Sequence, residues 1–408
     1  MDNTNETDFR QERGRLLSLD KRIHHVAGST WVVPSQSQTE GAYIVNAAAA
    51  TCSCPDFELR RCKCKHQWAI TFVQTIETDS HGNQTVTQSF SYSHTTERDW
   101  SSYNAAQVGE KETVQALLRG LCDGIQTPAH PGRGPKPLPM SDAVYAMVLK
   151  VYTAMSTRRA STDIKDASDA GHMAKAPHYN SIINYFDKPE MTAILTSLIE
   201  KSASPLASIE TSFAVDSTGF STAVYRRWFD AKYGREMKKA TWLKAHAMVG
   251  TTTNVITSVK VTGSDGADCP ELPGLVAATK QHFGIAEVSA DKAYLAHENL
   301  AAIETSGAAP FIPFKVNSQS DGSPAWRKMH AVFMFKQEEF LAAYGKRNNI
   351  ESTFSAVKRK FGHAVRSKTF TAQVNEILCK ALCQNLSVLV QAMHRLGIEP
   401  SFLAKAVA

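Results

Sequence analysis

The chain contains 408 residues, of which 43% are hydrophobic and 21% are charged. It can therefore bury sizeable cores, and its composition excludes a disordered or low-complexity protein. No apolar run approaches the ~20 residues that span a bilayer, and residues 1–15 are polar and mixed in charge, without the apolar core of a signal peptide. We therefore expect an intracellular, cytoplasmic protein of about two or three domains.

Basic side chains are concentrated in two stretches of the chain. The formal charge of +6, from 45 basic and 39 acidic residues, is too small to indicate a polyanionic partner by itself. Residues 315–368, however, contain eleven basic and four acidic residues, and residues 226–244 contain seven and two. Evenly solvated surface charge is the alternative interpretation. Two basic blocks in one region favour a nucleic-acid partner.

The first hundred residues suggest a small β-rich unit. β-Branched and aromatic residues predict strands at 31–33 and 42–45, and the pattern at 67–75 predicts a short helix. Residues 78–96 are polar and indicate a loop or an irregular hairpin, whereas residues 100–125 favour a helix.

Cysteines cluster just after the two predicted strands, since four of the eight lie within 13 positions. Cys52 and Cys54 are followed, after nine residues, by Cys64 and His66, which supplies the four ligands of a tetrahedral structural zinc site. Free thiols in a small core are the alternative, and Cys62 in place of Cys64 would also complete the set. The two strands, the following helix and the runs Cys-Ser-Cys-Pro-Asp-Phe and Cys-Lys-His resemble a SWIM zinc finger over residues 27–76.

Residues 127–139 hold five prolines and two glycines, which predicts a linker without regular structure. Within it, residues 132–136 faintly resemble a hook that binds the DNA minor groove. Residues 141–201 are divided by Pro177 and Pro189 into helices of about a dozen residues. These helices fit either a DNA-reading module or a helical spacer.

From residue 213 onward the pattern becomes α/β. Strands are predicted at 213–215, 241–249, 255–262, 287–290 and 310–314, and helices at 272–283, 296–305 and 341–361. This order is typical of the ribonuclease H-like fold, a mixed sheet flanked by helices. A final amphipathic helix at 374–394 is expected to pack on the outside.

Three acids occupy the positions where this fold places an active site. Asp216 follows the first strand, Asp291 follows the fourth, and Glu351 lies on the late helix. Carboxylates from separate elements repel one another unless a cation neutralises them, so the arrangement predicts a Mg²⁺ or Mn²⁺ site. Two such ions ~4 Å apart would clamp the oxygens of a phosphodiester displacement. Turn or cap roles for the acids are the alternative.

The predicted late helix has two distinct faces. At ~100° per residue, Tyr344, Arg347 and Lys358 share a face with Glu351. Arg347 and Lys358 would hold phosphates and Tyr344 a nucleotide, although a surface ion pair explains Arg347 with Glu351 alone. An apolar stripe for packing on the sheet consists of Ile350, Phe354, Val357 and Phe361. On the second strand, Lys244 and His246 share one face near the acids. Contact with DNA is one interpretation of this face, and packing on the sheet or exposure to solvent is the alternative.

The spacing Tyr344-x2-Arg347-x3-Glu351-x6-Lys358 resembles the signature of bacterial insertion-sequence transposases of the DDE type. Residues 213–219 and 289–294 resemble the first and second acidic motifs of that family, with Ser-Thr in place of a frequent Gly after Asp216. The resemblance covers residues 140–395. It implies cleavage at the ends of a mobile element and joining of the 3′-hydroxyls to target DNA, by a homo-oligomer on DNA associated with the nucleoid.

The resemblance also assigns metal ligands. Asp216 would bind both of two Mg²⁺ ions, and Asp291 and Glu351 would each complete one site. Two rival functions fit the same fold: a DNA-binding regulatory protein with an inactive site, and a structure-selective nuclease that cuts DNA without rejoining it.

The predicted domain organisation has seven parts. They are a polar segment (1–26), the zinc finger (27–76), a variable loop and helix (77–126), the Pro-rich linker (127–140), a helical DNA-binding segment (141–205), the catalytic domain (206–365) and a C-terminal helix (366–408).

Overall fold

The computed structural model describes residues 10–403, except residues 12, 15–16, 19, 21, 37–40, 79–83, 89–98, 130–131, 133–136, 223–231, 233–241 and 316–317. Most of the basic block at 226–244 and of the predicted minor-groove hook at 132–136 therefore lies outside the described residues. No helix within the described part of the chain is both long and apolar enough to cross a membrane.

The chain divides into two compact units, residues 1–97 and residues 98–408. The finer domain boundaries suggested by the sequence stay predictions. In the smaller unit, an antiparallel four-stranded sheet follows chain order: β1 (His24–Ala27), β2 (Thr30–Pro34), β3 (Ala42–Asn46) and β4 (Thr51–Cys52). Two short helices, α1 (Pro55–Arg60) and α2 (Lys65–Val73), and a paired β5 (Gln74–Thr78) and β6 (Gln84–Gln88) complete it.

The core of the smaller unit explains its local structure. Trp31, Val33 and Val45 point from alternate positions of β2 and β3 into one cluster with Ala69 and Ile70 of α2. The strands predicted at 31–33 and 42–45 are confirmed as β2 and β3. The predicted helix at 67–75 corresponds to α2, which begins and ends two residues earlier.

The larger unit begins with helices and continues with a mixed α/β region. Its elements, in chain order, are α3 (Trp100–Val108), α4 (Glu110–Cys122), α5 (Met140–Tyr152), α6 (Ser161–Asp169), α7 (Tyr179–Phe186), α8 (Glu190–Ala203), β7 (Ser212–Ser221), β8 (Trp242–Gly250), β9 (Ile256–Gly263), α9 (Leu272–Lys280), β10 (Glu287–Ala290), α10 (His297–Thr305), β11 (Ala309–Phe311), α11 (Pro324–Phe335), α12 (Gln337–Gly345), α13 (Asn348–Phe361) and α14 (Phe370–Leu396).

The sheet of the larger unit has the order β11-β10-β7-β8-β9. Strands β10 and β11 run parallel to β7, whereas β8 is antiparallel to both of its neighbours. Helices cover the sheet, so this mixed architecture confirms the predicted ribonuclease H-like fold. The helices predicted within 141–201 are confirmed as α5 to α8, and they share one continuous apolar core with the sheet.

Strand β7 is longer than the sequence suggests. The expectation that it ends before Asp216 is wrong, because β7 continues to Ser221 and pairs with β8 over its whole length. The four residues after Asp216 include Ser217, Thr218 and Gly219, whose small side chains do not show the apolar alternation typical of a strand. Pairing with the long β8 supplies the hydrogen bonds instead.

Helix α14 lies at the centre of the larger unit and not on its outside, which corrects the prediction. It packs against α3, α4, α5, α7 and α8 and against β8 and β9. The sequence suggests an exposed face because α14 carries Asn375, Glu376, Lys380 and Asn385, yet all four are buried. Each of these side chains has hydrogen-bond partners inside the protein, which offsets the cost of removing it from water.

The helix predicted at 341–361 is interrupted. Helix α12 ends at Gly345 and α13 begins at Asn348, and the joint contains i to i+3 bonds from Asn349 N–H to Lys346 and from Ile350 N–H to Arg347. The single helical face proposed from Tyr344 to Lys358 is therefore wrong at this joint. The apolar stripe of α13 is confirmed, since Ile350, Phe354, Val357 and Phe361 are all buried.

We expect Asn385→Leu to lower the free energy of unfolding by roughly 3 kcal/mol, because buried polar groups would lose their partners. The amide of Asn385 accepts from Ile256 N–H at 2.8 Å and donates to the carbonyls of Ile256 and Ile199 at 2.7 and 3.2 Å. Urea denaturation measures the change. Gln391→Leu, at a half-buried position of the same helix, is the control and should change stability by less than about 1 kcal/mol. Equal effects of the two substitutions would contradict the prediction.

Candidate zinc centre and acidic site

Three cysteines and one histidine of the smaller unit converge from different elements. Cys52 ends β4, Cys54 caps the N-terminus of α1, and His66 lies in the first turn of α2. Cys64 precedes α2, and its N–H donates to the side chain of Gln67 at 2.9 Å. The tight packing of short elements therefore aims all four side chains at one point.

The geometry fits a structural zinc ion. The four ligand atoms lie within 4.8 Å of one another and all four residues are buried. The Sγ atoms of Cys52 and Cys64 are each 3.9 Å from Nδ1 of His66, close to the ~3.6 Å that tetrahedral Zn–S and Zn–N bonds require. Cys62 is half-exposed and outside the group, so the structure favours Cys64 as the ligand.

Of the three thiols, only Cys64 is held in the state that binds a cation, because the hydrogen bond with Cys64 raises the pKa of Cys52 and burial raises the pKa of Cys54. A hydrogen bond from the Cys52 thiol, assisted by one from His66, holds the pKa of Cys64 well below its usual range. The thiolate is the form of cysteine that binds metals. With four protein ligands, the ion would have no open coordination position, which is typical of a structural site.

We expect the double substitution Cys52→Ser and Cys64→Ser to abolish zinc binding and to unfold the smaller unit while residues 98–408 stay folded. Structural zinc contributes its binding free energy directly to folding. Zinc content by mass spectrometry and limited proteolysis measure the two effects. Cys62→Ser is the matched control and should retain one zinc per chain. Retention of one zinc per chain by the double variant would show that the ligands are other residues.

The acids of the larger unit are brought together by strand register. Parallel pairing sets Ala290 of β10 opposite Val215 of β7, so the next residues, Asp291 and Asp216, lie side by side. Glu351 lies in the first turn of α13, which packs against β7. Arg347 joins the two elements, because its Nη1 donates to Asp216 and its Nη2 to Glu351, both at 2.7 Å.

The carboxylates of the acidic site repel one another. Burial raises the pKa of Asp216, and the charges of Asp291 and Glu351 raise it further, while the N–H of Ser217 and the charge of Arg347 act in the opposite direction. A cation stabilises such a cluster, and carboxylate oxygens are the ligands that Mg²⁺ and Mn²⁺ prefer. The residues present therefore fit a divalent cation, with Arg347 supplying part of the positive charge.

Tyr344 and Lys358 reach the same site from opposite sides of the helix joint. The guanidinium carbon of Arg347 is 5.9 Å from the centroid of the Tyr344 ring. Lys358 holds its ammonium 5.7 Å from the Phe220 ring and lines an open cleft of about 530 Å³ together with Asp216 and Glu351. The structure thus brings the predicted residues together although they do not share one continuous helix.

Lys244 and His246 both contact the carboxylate of Asp268 within the protein. Lys244 forms an ion pair with Asp268 at 3.0 Å, and His246 is buried with Nδ1 3.3 Å from the same carboxylate. Burial works to raise the pKa of Asp268, but a hydrogen bond with Ser217 and the charge of Lys244 outweigh it and lower the pKa. Of the alternatives left open, the structure thus shows contact within the protein.

Sequence reasoning missed Asp268, which is linked to the acidic site through Ser217, the neighbour of Asp216. It lies in a polar Gly-Ser-Asp-Gly-Ala-Asp segment that resembles an ordinary turn, so no sequence signal distinguished it. Tyr294 is buried close to these acids, and burial raises the pKa of its phenol, as do the charges of Asp268 and Asp216.

Both sites lie in segments that match known protein families. Residues 208–386 match the transposase DDE domain, and residues 43–72 match the SWIM zinc finger. The first match contains all three acids, and the second contains the three cysteines and the histidine. The chain therefore carries a transposase DDE domain and, before it, a SWIM zinc finger. A domain of this family points to DNA as the ligand and to transposase activity.

We expect Arg347→Gln to increase the apparent Mg²⁺ affinity several-fold in the absence of DNA, because Asp216 and Glu351 would lose the cation they share. The rise in melting temperature on titration with Mg²⁺ measures this affinity. Lys346→Gln is the control, since Lys346 pairs with Glu287 and with neither of these acids. An equal Mg²⁺ response of all three proteins would show that Arg347 does not compete with the metal.

Proposed function

We propose that the protein is a DNA transposase of the insertion-sequence type, which cleaves DNA at the ends of an element and joins the freed 3′-hydroxyls to target DNA. One observation carries the proposal. Asp216 in β7 lies beside Asp291, which directly follows the parallel strand β10, and Arg347 links Asp216 to Glu351 on α13, all within the segment that matches the transposase DDE domain.

Asp216, Asp291 and Glu351 would hold divalent cations. When bound, Mg²⁺ or Mn²⁺ would activate the attacking oxygen and stabilise the leaving oxygen of a phosphodiester. Asp216 occupies the central position, because it neighbours Asp291 across the sheet and shares Arg347 with Glu351. Asp216 would therefore contribute a ligand to both metal sites, with Asp291 and Glu351 each completing one of them.

The cationic and aromatic side chains around the acids would position the DNA. Lys358 projects into the cleft that contains Asp216 and Glu351, where it can bind a phosphate near the reacting one. Arg347, once the acids are neutralised by metal, would become available for a phosphate oxygen. Tyr344, half-buried beside Arg347, offers a ring and a hydroxyl to a nucleotide. These roles match the Tyr-Arg-Glu-Lys signature of the insertion-sequence type.

The zinc finger would serve as a recognition or docking module and not as part of the catalytic centre. Its four protein ligands leave no position for a substrate, and it belongs to a separate compact unit. We propose that the helical segment at 141–205 contributes to end binding and that the protein acts as a homo-oligomer on DNA. Its partners would be the element ends and the target DNA.

A strand-transfer assay separates this function from its rivals. Purified protein, Mg²⁺, a duplex from the DNA that flanks the gene and a supercoiled target plasmid are incubated together. Cleavage followed by joining supports a transposase, cleavage without joining supports a structure-selective nuclease, and binding alone supports a regulatory protein.

We expect Asp291→Asn to reduce Mg²⁺-dependent strand cleavage by at least 100-fold while DNA affinity changes by less than about threefold, because phosphate contacts dominate affinity. Gel assays of nicking and fluorescence anisotropy measure the two quantities. Asp265→Asn, an exposed acid in the loop after β9, is the control and should leave both unchanged. Cleavage by Asp291→Asn at the rate of the unmodified protein would remove Asp291 from the site.

A further inference from the structure

The cleft lined by Asp216 and Glu351 extends away from these two acids along β7 and α13. Asp216 lies in the middle of β7 and Glu351 in the first turn of α13, and the two acids share Arg347. From these acids both elements lead to one segment, because Ser221 at the end of β7 forms a bridge with Ala364 after α13. From Glu351 to Arg359 the helix rises by ~12 Å. Measured along the axis of a duplex, this length corresponds to three to four nucleotides of one strand at ~3.4 Å each. The cleft is therefore long enough for several nucleotides.

Basic side chains without acidic partners line the cleft along α13. Lys358, Arg359 and His363 all border the cleft, and within the described part of the chain none of them has a carboxylate at ion-pair distance. The neighbouring Lys360, on another side of α13, pairs with Glu110 instead. A row of basic side chains that begins at the acids and lacks internal partners is available to an anionic ligand.

The segment beyond α13, residues 362–367, is built as a rigid strap. Lys380 donates to the carbonyls of Gly362 and Ala364 at 2.7 and 2.8 Å, and Glu376 accepts from the N–H groups of Arg366 and Ser367 at 3.0 and 2.9 Å. Both charged residues are at least 97% buried. Since buried charges are costly unless their hydrogen bonds are satisfied, these bonds restrict the strap to one conformation.

The strap is fixed to the sheet as well. Ser221 N–H donates to the His363 carbonyl at 3.2 Å, and Val365 N–H donates to the Ser221 carbonyl at 2.9 Å. Val365 is buried, so the side chains of His363 and Arg366 are the ones that remain exposed. His363 borders both the acidic cleft and a second cavity of about 180 Å³, which Arg366 and Lys150 also line. The basic row thus continues past the end of α13.

We propose that Arg359, His363 and Arg366 form a binding surface for the sugar-phosphate backbone of DNA on one side of the scissile phosphate. This inference rests on the proposed function, and it adds the path by which the DNA leaves the acidic site. The rigid strap would act as a guide, because its side chains stay in position whether or not DNA is present. A DNA backbone is the ligand of choice, since its regularly spaced anions match a row of cations that continues from the acids.

The test compares charge-removing variants in DNA binding and footprinting. Binding of a 30-base-pair duplex is followed by fluorescence anisotropy at several salt concentrations, in Ca²⁺ to prevent turnover. We expect Arg359→Gln with Arg366→Gln to weaken binding at least tenfold and to reduce the salt slope by about two, one for each lost phosphate contact. Hydroxyl-radical footprints should lose protection on one side of the cleavage position only.

Three controls make the result specific. Lys201→Gln with Lys280→Gln removes two exposed charges from helices that pack on β9, and it should leave the slope unchanged. Arg366→Lys keeps the charge and should retain the slope if Arg366 acts through phosphate binding. Because Arg366 also donates to the Ala154 carbonyl at 2.9 Å, the single variant Arg359→Gln is measured as well and should lower the slope by about one in a fully folded protein.

The outcomes of this test are distinct from those of the proposed function. An unchanged salt slope in the double variant, or protection lost equally on both sides of the cleavage position, would overturn the inference even if the unmodified protein cleaves DNA. A slope reduced by two supports the inference even if strand transfer is never detected, in which case the surface binds DNA for another purpose.

Discussion

Mutual repulsion between carboxylates is the constraint on which the rest of the larger unit depends. Asp216 in β7 and Asp291 just after the neighbouring β10 place like charges side by side, which is unfavourable, and Glu351 adds a third negative charge. The carboxylates stay close despite this repulsion because the elements that carry them are held in place. Strand β7 is hydrogen-bonded on both edges, and α13 is anchored to the sheet by a buried apolar stripe. The sheet and α13 therefore hold the carboxylates together, and a bound cation reduces the repulsion between them.

Arg347 shows how the protein meets this constraint before any metal or DNA arrives. Its guanidinium binds two acids in a forked geometry, and the short 3₁₀ joint between α12 and α13 puts it at the start of the helix that carries Glu351. An uninterrupted helix would also set Arg347 one turn before Glu351, but it would carry Tyr344 along the same axis. Because of the joint, Tyr344 reaches the Arg347 guanidinium from a separate helix, while Arg347 still binds both Asp216 and Glu351.

Much of this organisation was readable in the sequence, because the relevant signals are local or periodic. The order of strands and helices, the grouping of three cysteines with His66 and the apolar stripe of α13 depend on spacing, and these predictions are confirmed. The predictions that are wrong concern features that depend on contacts between distant segments. The continuation of β7 beyond Asp216 is imposed by its partner β8, and the central place of α14 depends on hydrogen bonds to Asn385 and Lys380 from distant segments. Asp268 acquires its role only from Lys244 and Ser217, which the fold brings to it.

The central position of α14 has a consequence for how the protein is made. Helices α3, α4 and α5 are synthesised at least ~200 residues before α14, yet they bury much of their apolar surface against it. Contacts between segments so distant in sequence form slowly, and until residues 370–396 leave the ribosome the earlier helices and β9 expose apolar surface. The zinc finger belongs to the compact unit formed by residues 1–97, so its folding needs no such delay. During translation, nascent chains would therefore hold a folded finger long before they hold a competent acidic site.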